Sequence, residues 1–157
     1  PYDGAPMSDE RTTRTQVEAN VDDLDPRIWP RVIELLLAAG ADDAWITPIV
    51  MKKGRPALTL GVLCGDDVID DVRRIIFTET SSIGLRETTV TKYALPRSFD
   101  SVEIEGHPIA IKRAEYDGAE VNRSVEWDDV VRVADALGMS ANDVLTAALQ
   151  ASRAEQA

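Results

Sequence analysis

Trp45-Ile-Thr-Pro-Ile-Val-Met-Lys-Lys-Gly-Arg-Pro-Ala-Leu-Thr-Leu-Gly-Val-Leu-Cys64 is the stretch that decides the fold. Two apolar runs flank a short polar turn, the pattern of a β-hairpin. Leu58, Leu60, Val62 and Cys64 alternate onto one side of the second run. Pro48 cannot donate to a sheet ladder, so the first run suits an edge or a bulge. The turn carries Lys52, Lys53 and Arg55, hinges at Gly54 and is stopped by Pro56. Two readings of it stay open. It is either a solvated hairpin tip or an anion clamp. In a clamp, lysines supply mobile point charges, arginine a two-pronged donor, and Gly54 a close backbone approach.

A helix flanks the hairpin on each side. Upstream, Thr13 to Val21 reads as a first strand running into Asp22-Asp23-Leu24-Asp25-Pro26. Asp25 offers a capping oxygen and Pro26 suits a first helical position. The spacing predicts a helix over 27–39 with Ile28, Val32, Leu35, Leu36 and Ala39 inward, ended by Gly40. Downstream, Gly65-Asp66-Asp67 caps a helix over 68–79 with Val68, Val72, Ile75 and Ile76 inward. A polar loop, Thr80 to Gly84, then precedes a fourth strand over 85–93. The order β-α-β-β-α-β predicts an α+β, ferredoxin-like sandwich. Its antiparallel sheet takes the spatial order 4-1-3-2, which puts the Pro48 strand at an edge.

The expected organisation is a ferredoxin-like domain over 13–94 and an appendage over 95–157. Leu95-Pro96 breaks the chain. Alternating segments around Gly106-His-Pro108 and Asp117-Gly118 then predict a β-hairpin or meander. Two C-terminal helices follow, over 126–137 and 141–154. Gly138 closes the first, and Ser140 with Asp143 resembles a capping box for the second. Residues 1–12 are set aside as a disordered leader or cloning remnant, Met7 offering a start.

Composition narrows the function classes. The chain has 157 residues, 44% hydrophobic and only 5% aromatic, so its core is aliphatic. A net charge of -11 argues against nucleic acid or an anionic membrane as partner. The single cysteine, Cys64, forms no internal disulfide and fits a reducing cytoplasm. No apolar run is long enough for a membrane span.

Three segments carry candidate chemistry. In Glu18-Ala-Asn20-Val-Asp22-Asp23, alternation puts Glu18, Asn20 and Asp22 on one side of a strand. Such oxygen donors suit a hard cation such as Mg²⁺ better than nickel. A polar strand end before a helix cap explains the same residues without a metal. Lys52, Lys53 and Arg55 form the second segment. In the third, Glu79-Thr-Ser-Ser-Ile-Gly-Leu-Arg86, the hydroxyls of Ser81 and Ser82 and the charge of Arg86 allow an anion nest, or simply a polar connection. His107 sits in a turn between Gly106 and Pro108 and makes a poor nickel site alone. No nucleophile triad is available, and catalytic residues stay unassigned.

Val17-Glu-Ala-Asn-Val-Asp-Asp-Leu-Asp-Pro26, Thr47-Pro-Ile-Val-Met-Lys-Lys-Gly-Arg-Pro56 and Glu79-Thr-Ser-Ser-Ile-Gly-Leu-Arg86 together resemble the C-terminal domain of the LarC nickel-insertion proteins. The similarity continues through Tyr93-Ala-Leu-Pro-Arg97, Ile111-Lys112 and the last two helices. The resemblance implies a CTP-dependent cyclometallase that places Ni²⁺ in a pyridinium bisthiocarboxylic acid mononucleotide, the nickel-pincer cofactor of lactate racemase. It implies CTP with Mg²⁺ or Mn²⁺, a homo-oligomer with a hexamer as one form, and an N-terminal domain in the same or a separate chain. Charge and geometry on the matching motifs would give the metal to Glu18, Asn20, Asp22 and Asp23. The triphosphate would go to Lys52, Lys53, Arg55, Ser81, Ser82 and Arg86. A non-catalytic regulatory or assembly module is the other reading, because fold does not decide function.

Overall fold

A computed structural model describes residues 10–154. The chain divides into two compact units, Arg11–Tyr93 and the part from Ala94 onward.

In the first unit, β1 (Glu10–Val21), β2 (Asp43–Met51), β3 (Arg55–Cys64) and β4 (Arg86–Ala94) form one sheet in the order β2-β3-β1-β4. This is the expected 4-1-3-2 order, with the Pro48 strand at the edge. β1 and β3 pair antiparallel, Val17 opposite Val62 and Ala19 opposite Leu60. These side chains share a face, onto which α1 (Trp29–Ala38) and α2 (Ile69–Glu79) pack. Leu36, Leu60, Val62, Val72 and Ile76 are fully buried there. The aliphatic core expected from composition is this layer.

The helix entry differs from expectation. Asp25 caps a short 3₁₀ turn, Pro26–Ile28, its carboxylate accepting from the Arg27 N–H at 2.9 Å. A 3₁₀ turn advances more per residue than an α-helix, which shifts the phase of the helix after it. Trp29 therefore becomes buried and Ile28 lies 37% exposed, reversing the predicted inward role of Ile28. Three boundaries also move. β1 starts at Glu10, so Glu10, Arg11 and Thr12 belong to the fold, while residues 1–9 of the expected leader lie outside the described residues. Pro56 does not stop the turn but sits inside β3 opposite Val50. Asp66 caps nothing: it accepts from the Thr15 hydroxyl at 3.2 Å, and α2 has no side-chain cap.

The second unit holds β5 (Arg97–Ile104), β6 (His107–Tyr116) and β7 (Ala119–Val125) in sequential antiparallel order, then α3 (Trp127–Leu137) and α4 (Ala141–Ala154). Its own core comprises Ile109, Ile111, Val130, Val133 and Val144, among others. Asp117-Gly118 has positive φ at both residues (52° and 73°), as a two-residue hairpin turn of the primed type requires. Gly138 ends α3 in the left-handed conformation, and Ser140 accepts from the Asp143 N–H at 3.1 Å at the start of α4. His107 is not in the turn but opens β6 opposite Ile104.

Candidate functional site

Strand register decides which of the singled-out residues meet. Glu18 and Asn20 point to the sheet face opposite the helices, and Asn20 stands across from Thr59. The Thr59 hydroxyl donates to Asn20 Oδ1 at 2.8 Å. From β4, Arg86 Nη2 donates to the same oxygen at 3.1 Å and to Glu18 Oε2 at 3.5 Å. Gln16 holds the other Glu18 oxygen at 3.3 Å. Three strands thus converge on one polar patch. Beside it Trp45 lies flat across Gly61: a Cβ there would sit 2.3 Å from the indole, so only glycine admits the ring.

At the end of β1 the chain meets the cationic turn. Arg55 Nη1 donates to Asp22 Oδ2 at 3.0 Å, with the arginine 61% and the aspartate 23% exposed. Ser81 donates a short hydrogen bond to Asp23, which ties the αβ loop to the turn after β1. Ser82 bonds within its own loop, donating to the Gly84 carbonyl at 2.7 Å. The serine hydroxyls are thus internally engaged here, not displayed as an open nest.

Lys52 and Lys53 stand apart. They form a 3₁₀ turn with Gly54, in which Lys53 takes φ 63° and Gly54 φ 68°. Both lysines are exposed and neither forms an ion pair among the described residues. Two left-handed residues in succession present the backbone as a compact knuckle, with both ammonium groups left to solvent or to an anion.

The acids are compensated where they stand. Among the described residues, no three His, Cys, Asp or Glu side chains gather as a metal-holding group. Glu18, Asn20 and Asp23 offer the hard oxygens that Mg²⁺ or Mn²⁺ takes, with Arg86, Thr59 and Ser81 as their present partners. Cys64 is fully buried in the core, and desolvation, then nearby Asp42, pushes its thiol pKa up. Asp42 itself is a structural tie. Burial opposes its ionisation, but Lys92 at 2.6 Å and Arg14 at 2.8 Å outweigh that and hold its pKa below the usual carboxylate range.

A cleft of about 320 Å³, which no sequence motif marks, lies beside the β2 and β3 ends of the cationic turn. Its walls include Leu24, Trp29, Pro48, Ile49 and Pro56, and Asp22 is its one charged lining residue. The residues come from β1, β2, β3 and the entry to α1. Their only common signal in sequence is a scatter of proline and tryptophan, which no motif joins.

The model of the nickel insertion protein family matches residues 4–145. A relative from Nocardioides sp., named pyridinium-3,5-bisthiocarboxylic acid mononucleotide nickel insertion protein, is 54% identical over 88% of this chain and 35% of its own length. A relative of the same name from Thermotoga sp. is 36% identical, again over 88% of this chain and 34% of its own. The chain therefore spans about a third of the curated relatives it matches. Among solved structures, the apo form of LarC2 superposes with a TM-score of 0.82 at 33% identity, covering 91% of this chain and 99% of that one. That structure is described as the C-terminal domain of a cyclometallase in synthesis of the NPN cofactor of lactate racemase. No helix among the described residues is long and apolar enough to cross a membrane.

Proposed function

The chain belongs to the nickel insertion protein family, and on that premise we propose that it is the metal–CTP-binding domain of a CTP-dependent cyclometallase. The substrates are Ni²⁺ and pyridinium-3,5-bisthiocarboxylic acid mononucleotide, the compound in the relatives' names. The remaining two thirds of those relatives' length belong to a partner domain, in the same or a separate chain, that completes the reaction. The setting is the reducing cytoplasm.

The observation that carries the nucleotide reading is the pair Lys52 and Lys53, exposed and without an acidic partner among the described residues, in a chain of net charge -11. Nearly every other cation around the sheet has an acid against it. An anion recruits the two free lysines first. Arg55 and Arg86 lie on solvent-accessible pairs with Asp22 and Glu18, which contribute little to stability and are readily exchanged for phosphate oxygens. Such an exchange would free Glu18 and Asn20, with Asp23 in the turn just after β1, for a hard cation on the triphosphate. Bound phosphate and metal thus support one another electrostatically. CTP would supply the energy of hydrolysis, and this chain's residues would hold and neutralise it.

Thermal unfolding with CTP, with ATP and with Mg²⁺ or Mn²⁺ tests this directly. Ligand at about 100 times its dissociation constant adds roughly 2.7 kcal/mol, a shift of several degrees. The shift should be larger with metal than without, and larger for CTP than for ATP. Light scattering on the same samples should give a homo-oligomer, up to a hexamer, rather than 17.2 kDa. No shift with any nucleotide at millimolar concentration would leave the assembly module as the surviving reading.

A further inference from the structure

We infer that the sheet face opposite the helices, at Trp45, Gly61 and Glu18, seats the cationic ring of a pyridinium mononucleotide, with the Trp45 indole as its stacking floor. The inference rests on the substrate proposed above and gives it a place of its own. Gly61 lies about 20 Å along β3 from Arg55 at the usual strand rise, well away from the cationic turn.

Two features of this face work against a stable sheet. A glycine inside a central strand weakens it, and such glycines mark places where a ligand or another backbone comes close. A tryptophan on the side away from the helices stays only half-buried. The two are matched to each other. A Cβ on Gly61 would meet Cε2, Cζ2 and Nε1 of Trp45 at 2.3, 2.5 and 2.6 Å. The indole therefore lies flat on the β3 backbone, and its other face looks outward. Strand register sets Glu18 across Gly61 on one side and Trp45 across it on the other. With no side chain between them, indole and carboxylate border one shallow, flat-floored trough. Thr47, Thr59 and Asn20 form the row on one side of it, Leu63 and Gln16 the row on the other.

The chemistry of this trough selects a charged ring. An indole face attracts a cation more strongly than any other aromatic side chain does. Glu18, its side chain 40% exposed, adds a negative charge beside it. A neutral base such as cytosine gains neither. The compound in the relatives' names, a pyridinium bisthiocarboxylic acid mononucleotide, joins a cationic ring to anionic substituents. Donors for those substituents stand at the border. Arg86 reaches over from β4 with its side chain 56% exposed, and the Gln16 amide donates to Glu18 at 3.3 Å. Glu18 and Arg86 also serve the proposed metal–triphosphate, so the test turns on Trp45 and Gly61, which do not.

The experiment measures binding heat on the whole chain with three probes. Nicotinamide mononucleotide has a cationic pyridinium ring, its dihydro form an uncharged one, and CTP with Mg²⁺ reports the nucleotide site. Gly61→Ala drives the indole off the strand, and Trp45→Leu keeps an apolar side chain without a π-face. Each should weaken nicotinamide mononucleotide by about fivefold or more and leave CTP within about twofold. The dihydro form should bind the wild-type chain more weakly than the cationic form by a similar factor. Nicotinamide mononucleotide should also quench wild-type tryptophan emission, and Trp45→Leu should abolish that quench. Equal binding of the cationic form to the wild type and both variants, or of the two ring forms to the wild type, overturns the seat and spares the CTP reading. So does CTP binding with no binding of nicotinamide mononucleotide. Trp45 emission that follows protein concentration instead of ligand puts a second copy on this face and overturns the seat. Ring binding at Trp45 without CTP binding keeps the seat and sinks the CTP reading. No binding of any probe overturns both.

Discussion

The two units of the chain are built alike and use their charges differently. Each lays a pair of helices on one face of an antiparallel sheet over an aliphatic core. In the unit from Ala94 onward, charged groups close on one another and on the backbone. Arg123, only 11% exposed, holds Glu120 at 2.8 Å and donates to the Ser152 carbonyl at the end of α4. Asp129 accepts from the Ala110 N–H at 2.9 Å and from Arg132 at 2.8 Å, joining α3 to β6. In the unit 11–93 the corresponding effort is incomplete. Lys52 and Lys53 are left over, Arg55 and Arg86 sit in exposed pairs, and an apolar cleft stands open beside them. The lysines of the β2–β3 turn, set against the ties around Arg123 and Asp129, are why we propose that a ligand completes the charge balance in the unit 11–93. On that proposal the unit from Ala94 onward serves as scaffold.

The contrast breaks most visibly at the cores. Leu60→Ala and Ile109→Ala each remove a fully buried side chain, and each should cost about 2–5 kcal/mol in urea denaturation. Only Leu60→Ala should also weaken nucleotide binding, because β3 carries Arg55 and part of the cleft wall. Equal effects of both on binding would dissolve the division of labour.

A smaller effect separates the two kinds of cation. Arg123→Ala strips Glu120 of a partner and uncaps Ser152, so it should destabilise by about 2–3 kcal/mol and leave CTP affinity unchanged. Lys52→Ala with Lys53→Ala should do the reverse, keeping the melting temperature and losing roughly tenfold or more in CTP affinity. Calorimetry and thermal unfolding on the same preparations decide between them.

The smallest effect sharpens the reading of the scaffold half. Arg132 first, and then the Ala110 N–H, hold the Asp129 pKa below the usual carboxylate range. A depressed folded-state pKa stabilises above the unfolded value near pH 4 and is lost as pH falls through the folded value. Wild-type stability should therefore drop below about pH 4. Asp129→Asn should flatten that drop while lowering stability slightly at pH 7. An acid limb of equal steepness in both would show that Asp129 is not a tie between α3 and β6.

Sequence by itself determined the βαββαβ order, the 4-1-3-2 arrangement with Pro48 at the edge, and the hairpin at Asp117-Gly118. Each rests on short-range physics: a two-residue alternation, a missing proline N–H, a backbone that must take positive φ. It also isolated Lys52, Lys53 and Arg55 as a cationic turn, because charge is visible without coordinates. Only the tertiary structure paired Arg86 with Asn20, Arg55 with Asp22 and Ser81 with Asp23, each across a long loop of chain. It alone also turned Trp29 inward past a 3₁₀ turn and assembled the cleft from three separate stretches of chain. Such pairings depend on strand register and on the phase of a helix entry, and a single residue of slip in either places a different side chain at the site.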